Sequence, residues 1–529
     1  MAHLHISSDQ SVTLPRDLSF TPQPAVPQGM SSNYIRQTSD VSTYQPGNTI
    51  TLRLPSSGRL WDVDSSYMAL DVTLNGGNWA SAAGIVGFNQ FAGVLSLFSR
   101  IRMTASNGTV VIDTNSNADY LHTLMHECLL DVGSSFHAAN KWAGGSGNPS
   151  IDNSSLGAAD ETSGAIFSTP GIDSALRYCE GIEPFQPCGS SYHTSSLGTF
   201  NQNVGFLQSG KVPRSTDTRL KAFLQLPVNT TNVRTYTVNP LQLFFQHGSY
   251  VPLTCGFTIE LYLNQVNTAL RCVNAVDAAV NPPDATGMGY SVSNVKYVMR
   301  TLNLPEAVRQ KMDQVWKQQG LFINLTNVTA YTGSNSSLIN TQDIVRVNAF
   351  NRRNISGFLI CPRISSAVTD PFADSYRRFH PDFETGWIQV KFGDTIVDSI
   401  TSDAEAYRHT QQFFSTSCRN LDRGMSNTYG ADERGYWVIG NDTLQNKPDE
   451  YVVTPNTNHK WFSSWLLGFD MRTVDSGEVF SGVSNADLEI SYRLKTSPGS
   501  GSGSLNWTVF LFSNSIMKLS YSNVCEIAS

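Results

Sequence analysis

Two stretches of this chain repeat each other: IRMTASNGTVVIDTNSNADYLHT at residues 101–123 and IQVKFGDTIVDSITSDAEAYRHT at residues 388–410. They align without gaps at a constant shift of 287 residues, and six of the 23 positions are identical. The identical pairs are Ile101/Ile388, Val110/Val397, Thr114/Thr401, Tyr120/Tyr407, His122/His409 and Thr123/Thr410. Each stretch is typical of a strand, a tight polar turn, a second strand and a short helix.

A second pair of blocks follows the repeat in the same order. FTIELYLN (257–264) and DLEISYRLK (487–495) both alternate apolar and polar residues, as half-buried strands do. A chain of 529 residues is too long for one core and favours two domains of roughly 200–250 residues each. The sequence therefore predicts one β fold, built twice.

Composition supports an all-β protein and excludes some functions. Charged residues make up only 15% of the chain, with 40 Gly and 23 Pro, which is typical of strands joined by long turns. The net charge of −7 gives no reason to expect nucleic-acid binding, and we interpret the arginines at 352–353 and 377–378 as solvated loop residues.

No apolar run approaches the roughly 20 residues of a membrane span. The first residues lack the basic start and apolar run of a signal peptide, so we expect a chain kept, at least initially, on the cytosolic side.

Local patterns divide the chain into segments. Residues 1–43 are polar and punctuated by Pro, which indicates an extended N-terminal arm. The first β domain is expected over 44–302, where ITLRLP (50–55) and ALDVTLN (69–75) alternate and are predicted to pair, closed by a glycine turn. Residues 131–216 are rich in Gly, Ser, Asn and Pro, and a loop of this length predicts a surface insertion. The second β domain is expected over 321–529.

A linker helix is predicted between the two domains, over residues 303–320. Asn303 is expected to cap it, with Pro305 in the first turn, Glu306 completing a capping-box-like pair and Gly320 at the end. An apolar stripe at helical spacing should lie against a sheet. It comprises Val308, Met312, Val315 and Trp316.

Motifs that could carry chemistry are weak. GFLQSGKV (205–212) is close to a phosphate loop, in which Lys211 would contact the phosphates. Val212, however, stands where the magnesium ligand belongs, and Pro213 and the lack of a parallel βα unit favour a coincidental match. His122 and His126 with Glu127 have a zinc-like spacing but no third ligand, and the repeat has Phe413 where the second histidine would be. We interpret them as packed residues, and His3 and His5 as solvated. No catalytic, cofactor-binding or metal-binding residue is predicted.

Eight cysteines, at positions 128, 179, 188, 255, 272, 361, 418 and 525, show no metal-binding spacing. Free thiols are expected, with Cys255 and Cys361 buried, although Cys179 and Cys188 could bridge a loop. Nine N-x-S/T sequons follow from an Asn/Ser/Thr-rich composition.

The order of blocks resembles the double jelly-roll major capsid proteins of tailless icosahedral double-stranded DNA viruses, the lineage of virophages, polinton-like viruses and large DNA viruses. The resemblance extends over roughly residues 45–529 and is most specific in its last three blocks. They are SSWLLGFDMR (463–472), SGVSNADLEISYRL (481–494) and WTVFLFSNSIMKLSYSNV (507–524). Earlier blocks also match: YVPLTCGFTIELYLN (250–264), ISGFLICPRIS (355–365), TDPFADSYRRF (369–379) and the stretch from 387 to 413. The N-terminal hallmark of the large-DNA-virus subgroup is absent, which places the chain nearer to divergent members.

This resemblance implies two tandem eight-stranded jelly rolls with long loop insertions. It also implies a structural role in the virion, as a homotrimeric capsomer of pseudo-hexagonal outline that tiles an icosahedral shell, without enzymatic activity. The expected partners are further copies of the chain and minor capsid or penton proteins, with assembly in the host cytoplasm or nucleus; an internal membrane beneath the shell cannot be inferred. The alternative is a jelly-roll carbohydrate-binding protein or receptor-binding spike whose ligand site lies in the insertion 131–216. A cupin-type enzyme is a weaker alternative, because it would need a histidine cluster inside a barrel.

Overall fold

The structure, a computed structural model, describes most of the β framework of the chain. The described residues are 3–7, 10–13, 30–76, 84–88, 93–129, 225–227, 231–245, 249–274, 288–336, 342–347, 354–365, 368, 386–392, 395–417, 466–472, 488–493, 504–520 and 524–528. The predicted insertion 131–216 and the phosphate-loop-like 205–212 lie outside them.

The first half of the chain forms two facing antiparallel sheets. Its strands are β3 (Ser31–Thr38), β4 (Thr43–Tyr44), β5 (Thr49–Leu54), β6 (Leu60–Gly76), β7 (Gly84–Phe88), β8 (Phe98–Ala105), β9 (Val110–Asp113), β10 (Gln225–Pro227), β11 (Thr231–Val238), β12 (Tyr250–Pro252), β13 (Phe257–Leu263), β14 (Leu270–Asn274) and β15 (Met288–Asn303). One sheet has the order β11-β6-β15-β3 and the other the order β5-β13-β8-β9. Three short strands from the segments that connect the main strands form a smaller sheet of order β10-β7-β14. β1 (His3–Ser7) pairs separately with β2 (Gln10–Thr13).

The second half builds the same arrangement. Its strands are β16 (Leu321–Ser336), β17 (Gln342–Val347), β18 (Ile355–Ile364), β19 (Trp387–Phe392), β20 (Thr395–Ile400), β21 (Leu467–Asp470), β22 (Leu488–Arg493), β23 (Ser504–Leu519) and β24 (Cys525–Ala528). The sheet orders are β16-β23-β18-β21 and β17-β22-β19-β20. Strand for strand these match β3-β15-β6-β11 and β5-β13-β8-β9, and each pair of sheets is a jelly roll. The prediction of two tandem jelly rolls is confirmed.

In the part of the chain that the structure describes, two helices occupy equivalent places in the two jelly rolls. Helix α1 (Ala118–Leu129) follows β9, and α4 (Asp403–Ser417) follows β20. A short α2 (Val266–Ala269) precedes β14, and α3 (Glu306–Gln319) joins the two halves. The repeated sequence is therefore one structural unit, strand–strand–helix, present once in each jelly roll.

Alternating side chains fill the space between the facing sheets. Along β13 the buried residues are Phe257, Ile259, Leu261 and Leu263, with half-exposed residues between them. In the first core the Trp61 ring lies 5.8 Å from Phe245 and 5.9 Å from Tyr297, while in the second Tyr492 lies 4.6 Å from Trp507. These large buried rings fill the space between the two facing sheets and thereby set the distance between them.

Two local predictions are wrong. Residues 50–55 and 69–75, which belong to β5 and β6, do not pair with each other. β5 pairs with β13, which in turn pairs with β8, whereas β6 pairs with β15 in the opposite sheet. The chain crosses from one sheet to the other between β5 and β6, so these neighbours in sequence are not neighbours in a sheet, whereas β8 and β9 do pair. Asn303 does not cap α3, because it is still paired with Ser31 as a strand residue and the cap position is Pro305, without a side-chain cap.

The predicted apolar stripe of α3 is confirmed in part. Only Trp316 is buried, and its Nε1 donates a hydrogen bond to the Leu519 carbonyl at 2.9 Å. Val315 is 50% exposed, and Val308 and Met312 are half-buried. One tryptophan therefore anchors this helix to the second jelly roll.

Candidate functional site: the seam between the two jelly rolls

The two jelly rolls meet along β16, an edge strand of the second one. One edge of β16 pairs with β23, and residues of the first jelly roll cover the other. Leu325 forms a bridge with Phe245, the Thr326 N–H donates to the Phe244 carbonyl at 3.0 Å, and the Ala330 N–H donates to the Thr114 carbonyl at 3.3 Å. An edge that would otherwise expose unpaired backbone groups is thus closed within the chain. We call this contact region the seam.

A buried arginine crosses the seam. Arg363 lies on β18 and is only 4% exposed. Its Nη2 donates to Thr508 Oγ1 at 3.1 Å and to Asn117 Oδ1 at 3.4 Å, and its guanidinium carbon lies 4.1 Å from the centre of the Tyr120 ring. Asn117 and Tyr120 belong to the first jelly roll and Thr508 to the second. The flat, charged guanidinium both stacks and donates in fixed directions, so it restrains the relative orientation of the two units.

The turn before α1 presents the partners of Arg363. Asn117 adopts a left-handed backbone (φ 54°), a conformation that asparagine tolerates better than most residues. Its Nδ2 donates to Thr332 Oγ1 at 3.1 Å, while its Oδ1 faces Arg363. The Asn117 amide of the first jelly roll therefore contacts both β16 and β18 of the second. Nearby, the Tyr120 ring lies 5.7 Å from the Phe510 ring.

An ion pair fixes β9 where it approaches the seam. Arg100 on β8 donates from Nε to Asp113 Oδ1 at 2.7 Å. Burial by itself would raise the pKa of Asp113, but the hydrogen bond from Arg100, the N–H of Asn115 and the nearby positive charges outweigh it and hold that pKa below its usual value. The carboxylate consequently stays ionised and joins β9 to β8 through Arg100.

The last strand of the chain is held at the other end of the seam. Asn107 Nδ2 and Thr109 Oγ1 both donate to the Cys525 carbonyl, at 2.9 and 2.8 Å. Burial raises the pKa of the Cys525 thiol to about 12, with a smaller contribution from the neighbouring Cys255, whose pKa is also raised by burial. Both thiols are free and stay protonated at neutral pH.

The residues singled out by sequence do not gather into a reactive site in the described part of the chain. His122 is buried in α1, and His409 on α4 lies 2.6 Å from Asp398 Oδ2. The side chains of His126 and Glu127 lie outside the described residues. Within the described residues no three His, Cys, Asp or Glu side chains are close enough to hold a metal ion, and no helix is long and apolar enough to cross a membrane. The expected burial of free Cys255 and Cys361 is confirmed.

Sequence reasoning missed Arg363. It falls in ISGFLICPRI, a strand-like run that is otherwise apolar. A single charge in such a run was the available signal, since charges are rarely buried without partners. The partners themselves come from positions 117, 120 and 508, which no local pattern connects.

Comparison with solved structures identifies the same architecture elsewhere. The structure of the Sputnik virophage by cryo-EM contains a chain that matches with a TM-score of 0.54 and 11% identity, covering 98% of this chain and 92% of that one. PBCV-1 Vp54, whose crystal structure was fitted into a reconstruction of the virophage Sputnik, matches with a TM-score of 0.50 and 8% identity, covering 96% and 99%. The mavirus major capsid protein gives a TM-score of 0.47 and 11% identity, covering 99% and 96%. No protein-family model and no curated protein sequence matches the chain.

At these identities the likeness concerns the fold. The Sputnik and PBCV-1 matches extend over nearly the whole length of both chains, so they include both jelly rolls and not one alone. The protein therefore has the double jelly-roll fold, and the resemblance stated from the sequence is confirmed at that level.

Proposed function

We propose that the chain is a major capsid protein: a structural subunit, without enzymatic activity, that forms homotrimers of pseudo-hexagonal outline and tiles an icosahedral virus shell. The observation that carries the proposal is the seam, where two units of identical topology are held side by side by buried contacts. The solved structures that share this fold come from virus particles or were fitted into one, which supports the same role.

The fold gives a physical reason for a trimer. One chain supplies two similar units, so three chains related by a threefold axis supply six, and a ring closed by rotation leaves no unsatisfied contact. The outline of six similar units suits a hexagonal lattice. Function would then depend on lateral surfaces between copies of the chain, followed by contacts with neighbouring capsomers and with minor capsid or penton proteins. In this proposal the protein resides in the virion and is assembled in the host cytoplasm or nucleus.

The mass of the recombinant full-length chain tests the proposal. Light scattering should give three times the chain mass of 58.0 kDa, unchanged by dilution through the micromolar range, because obligate interfaces usually bury more than about 2,000 Å². Class averages from negative-stain electron microscopy should show six lobes. A stable monomer or dimer at micromolar concentration would exclude the capsomer and favour a sugar-binding or receptor-binding jelly roll.

A further inference from the structure

Two buried thiols lie where the two jelly rolls meet. Cys255 belongs to the first jelly roll, just before β13, and Cys525 is the first residue of β24 in the second. Both are free, and both are buried, at 1% and 0% exposure. They are about 270 positions apart in the sequence, so only the seam brings them together. The hydrogen bonds of the seam use the backbone of Cys525, and they do not account for either thiol.

The turn between β8 and β9 holds the backbone on both sides of this pair. The Ser106 N–H donates to the Gly256 carbonyl at 2.8 Å, and Gly256 directly follows Cys255. From the same turn, Thr109 Oγ1 donates to the Cys525 carbonyl at 2.8 Å. A single tight turn therefore fixes the position of both cysteines, one in its own jelly roll and one across the seam.

The two sulfurs are also near each other. Burial is the main reason that the pKa of Cys525 is raised, and the charge that Cys255 would carry as a thiolate is the next. Such an effect weakens with distance, so the two thiols share one small buried region. A disulfide needs Cβ atoms roughly 3.5–4.5 Å apart. β24 has only four residues and pairs with one strand, β23, in the described part of the chain, so a small shift of β24 can satisfy this requirement.

We propose that Cys255 and Cys525 form a disulfide that joins the two jelly rolls covalently when the protein passes from a reducing to an oxidising environment. In a reducing compartment both thiols stay free, and the cross-link forms only afterwards. The reaction involves the seam within one chain, so it does not depend on the proposed function or on the number of chains in the assembly.

The oxidant is a low-molecular-weight disulfide such as oxidised glutathione. When β24 opens, the Cys525 thiolate attacks one glutathione sulfur, which forms a mixed disulfide and releases one glutathione thiolate. When β24 pairs with β23 again, the Cys255 thiolate attacks Cys525 Sγ and releases the second glutathione thiolate. The two protein thiols lose two electrons and two protons, and the two glutathione thiols gain them.

The structure sets both the rate and the effect of this reaction. Buried, protonated thiols react poorly, so oxidation through the opening of β24 should take hours and not minutes. The disulfide closes a loop of about 270 residues, and the stabilisation by a disulfide grows with the length of the loop. The oxidised chain should therefore melt at least ~5 °C above the reduced chain.

Peptide mapping of the native full-length chain tests the link. The protein is kept for one day at pH 8 with either oxidised or reduced glutathione, the remaining thiols are blocked, and the chain is digested with trypsin without reduction. Trypsin releases Cys255 in residues 235–271 and Cys525 in residues 519–529, and neither peptide contains another cysteine. The mass of the joined peptides should appear only after treatment with oxidised glutathione.

Matched variants test the effect on stability. Cys525→Ala should lose both the joined peptides and the rise in melting temperature. Cys361→Ala should keep both, because Cys361 is a free, buried cysteine on β18 that the proposed link does not use. Each variant is compared with its own reduced form, so a change of stability caused by the substitution itself does not affect the result.

Four results would overturn the inference. They are the absence of the joined peptides after one day, a main product that links other cysteines, a covalent dimer on a denaturing gel without reductant, and a link that forms without raising the melting temperature. None of them bears on whether the chain forms a capsomer.

Discussion

Replacing Arg363 by Ala should weaken the attachment of the two jelly rolls more than any other single change at the seam. The substitution removes the hydrogen bonds from Nη2 to Thr508 at 3.1 Å and to Asn117 at 3.4 Å, together with the contact to the Tyr120 ring at 4.1 Å. It also leaves an empty volume at the seam, because Arg363 is buried there. These losses all fall on the boundary between the two units.

The size of the effect follows from these contacts. The shorter hydrogen bond, from a charged donor, contributes about 1.5 kcal/mol and the longer one about 0.5 kcal/mol. The contact of a buried guanidinium with a tyrosine ring adds about 1–2 kcal/mol. Removing a buried cation recovers part of its desolvation cost, but the cavity opposes that gain, so the net loss should be about 3 kcal/mol. Arg363→Lys should lose about half as much, since it keeps the charge without the planar stack.

Arg346→Ala is the matched control. Arg346 lies on β17 of the same jelly roll, its side chain is 70% exposed, and it pairs with Glu489 at 3.1 Å. An exposed ion pair of this kind is worth about 0–1 kcal/mol.

Differential scanning calorimetry of the full-length chain measures both variants. Since 1 kcal/mol corresponds to about 2–4 °C for a unit of 150–250 residues, Arg363→Ala should lower the melting temperature of the second jelly roll by ~6–12 °C. The endotherm should also broaden or split as the two units uncouple. If Arg363→Ala and Arg346→Ala melt within 2 °C of each other, as ~0.5–1 kcal/mol would imply, Arg363 does not hold the seam and the reasoning is wrong.

Two further outcomes can be checked on the same material. A Cβ added at Gly357 would lie 2.6 Å from a ring carbon of Phe413 and 2.6 Å from the Phe469 carbonyl oxygen, so Gly357→Ala should cost about 1–3 kcal/mol. Gly289, also within a strand, has open space around it, and Gly289→Ala should stabilise by about 0.5–1 kcal/mol; equal thermal shifts for the two variants would contradict the packing. Because burial raises the pKa of Cys525 to about 12, a thiol reagent at pH 8 should modify it only after denaturation, and rapid labelling of the native protein would show that the strand is not buried.

Much of the fold could be predicted from the sequence because jelly-roll strands carry their signal locally. Each strand of the repeat buries alternate residues, and the buried positions Ile101 and Ile388 recur at the same place in the two copies. The helix that follows repeats as well: the Thr123 and Thr410 hydroxyls each donate to the carbonyl four residues earlier, at 2.9 and 2.7 Å. Such short-range constraints leave a pattern that a sequence comparison can detect.

Contacts between distant segments could not be predicted in the same way. Residues 31–38, which the sequence places in the N-terminal arm, form β3 and pair with β15, and the only apolar side chain of this strand that packs against the core is Ile35, which is too weak a pattern to predict a strand. The linker helix has an apolar stripe by spacing, but only Trp316 of that stripe is fully buried, and its hydrogen bond to the Leu519 carbonyl joins segments that are about 200 residues apart. Arg363 contacts Asn117 and Thr508, which are far apart in the sequence. These contacts depend on the relative orientation of the two jelly rolls, and the sequence of one jelly roll alone does not determine that orientation.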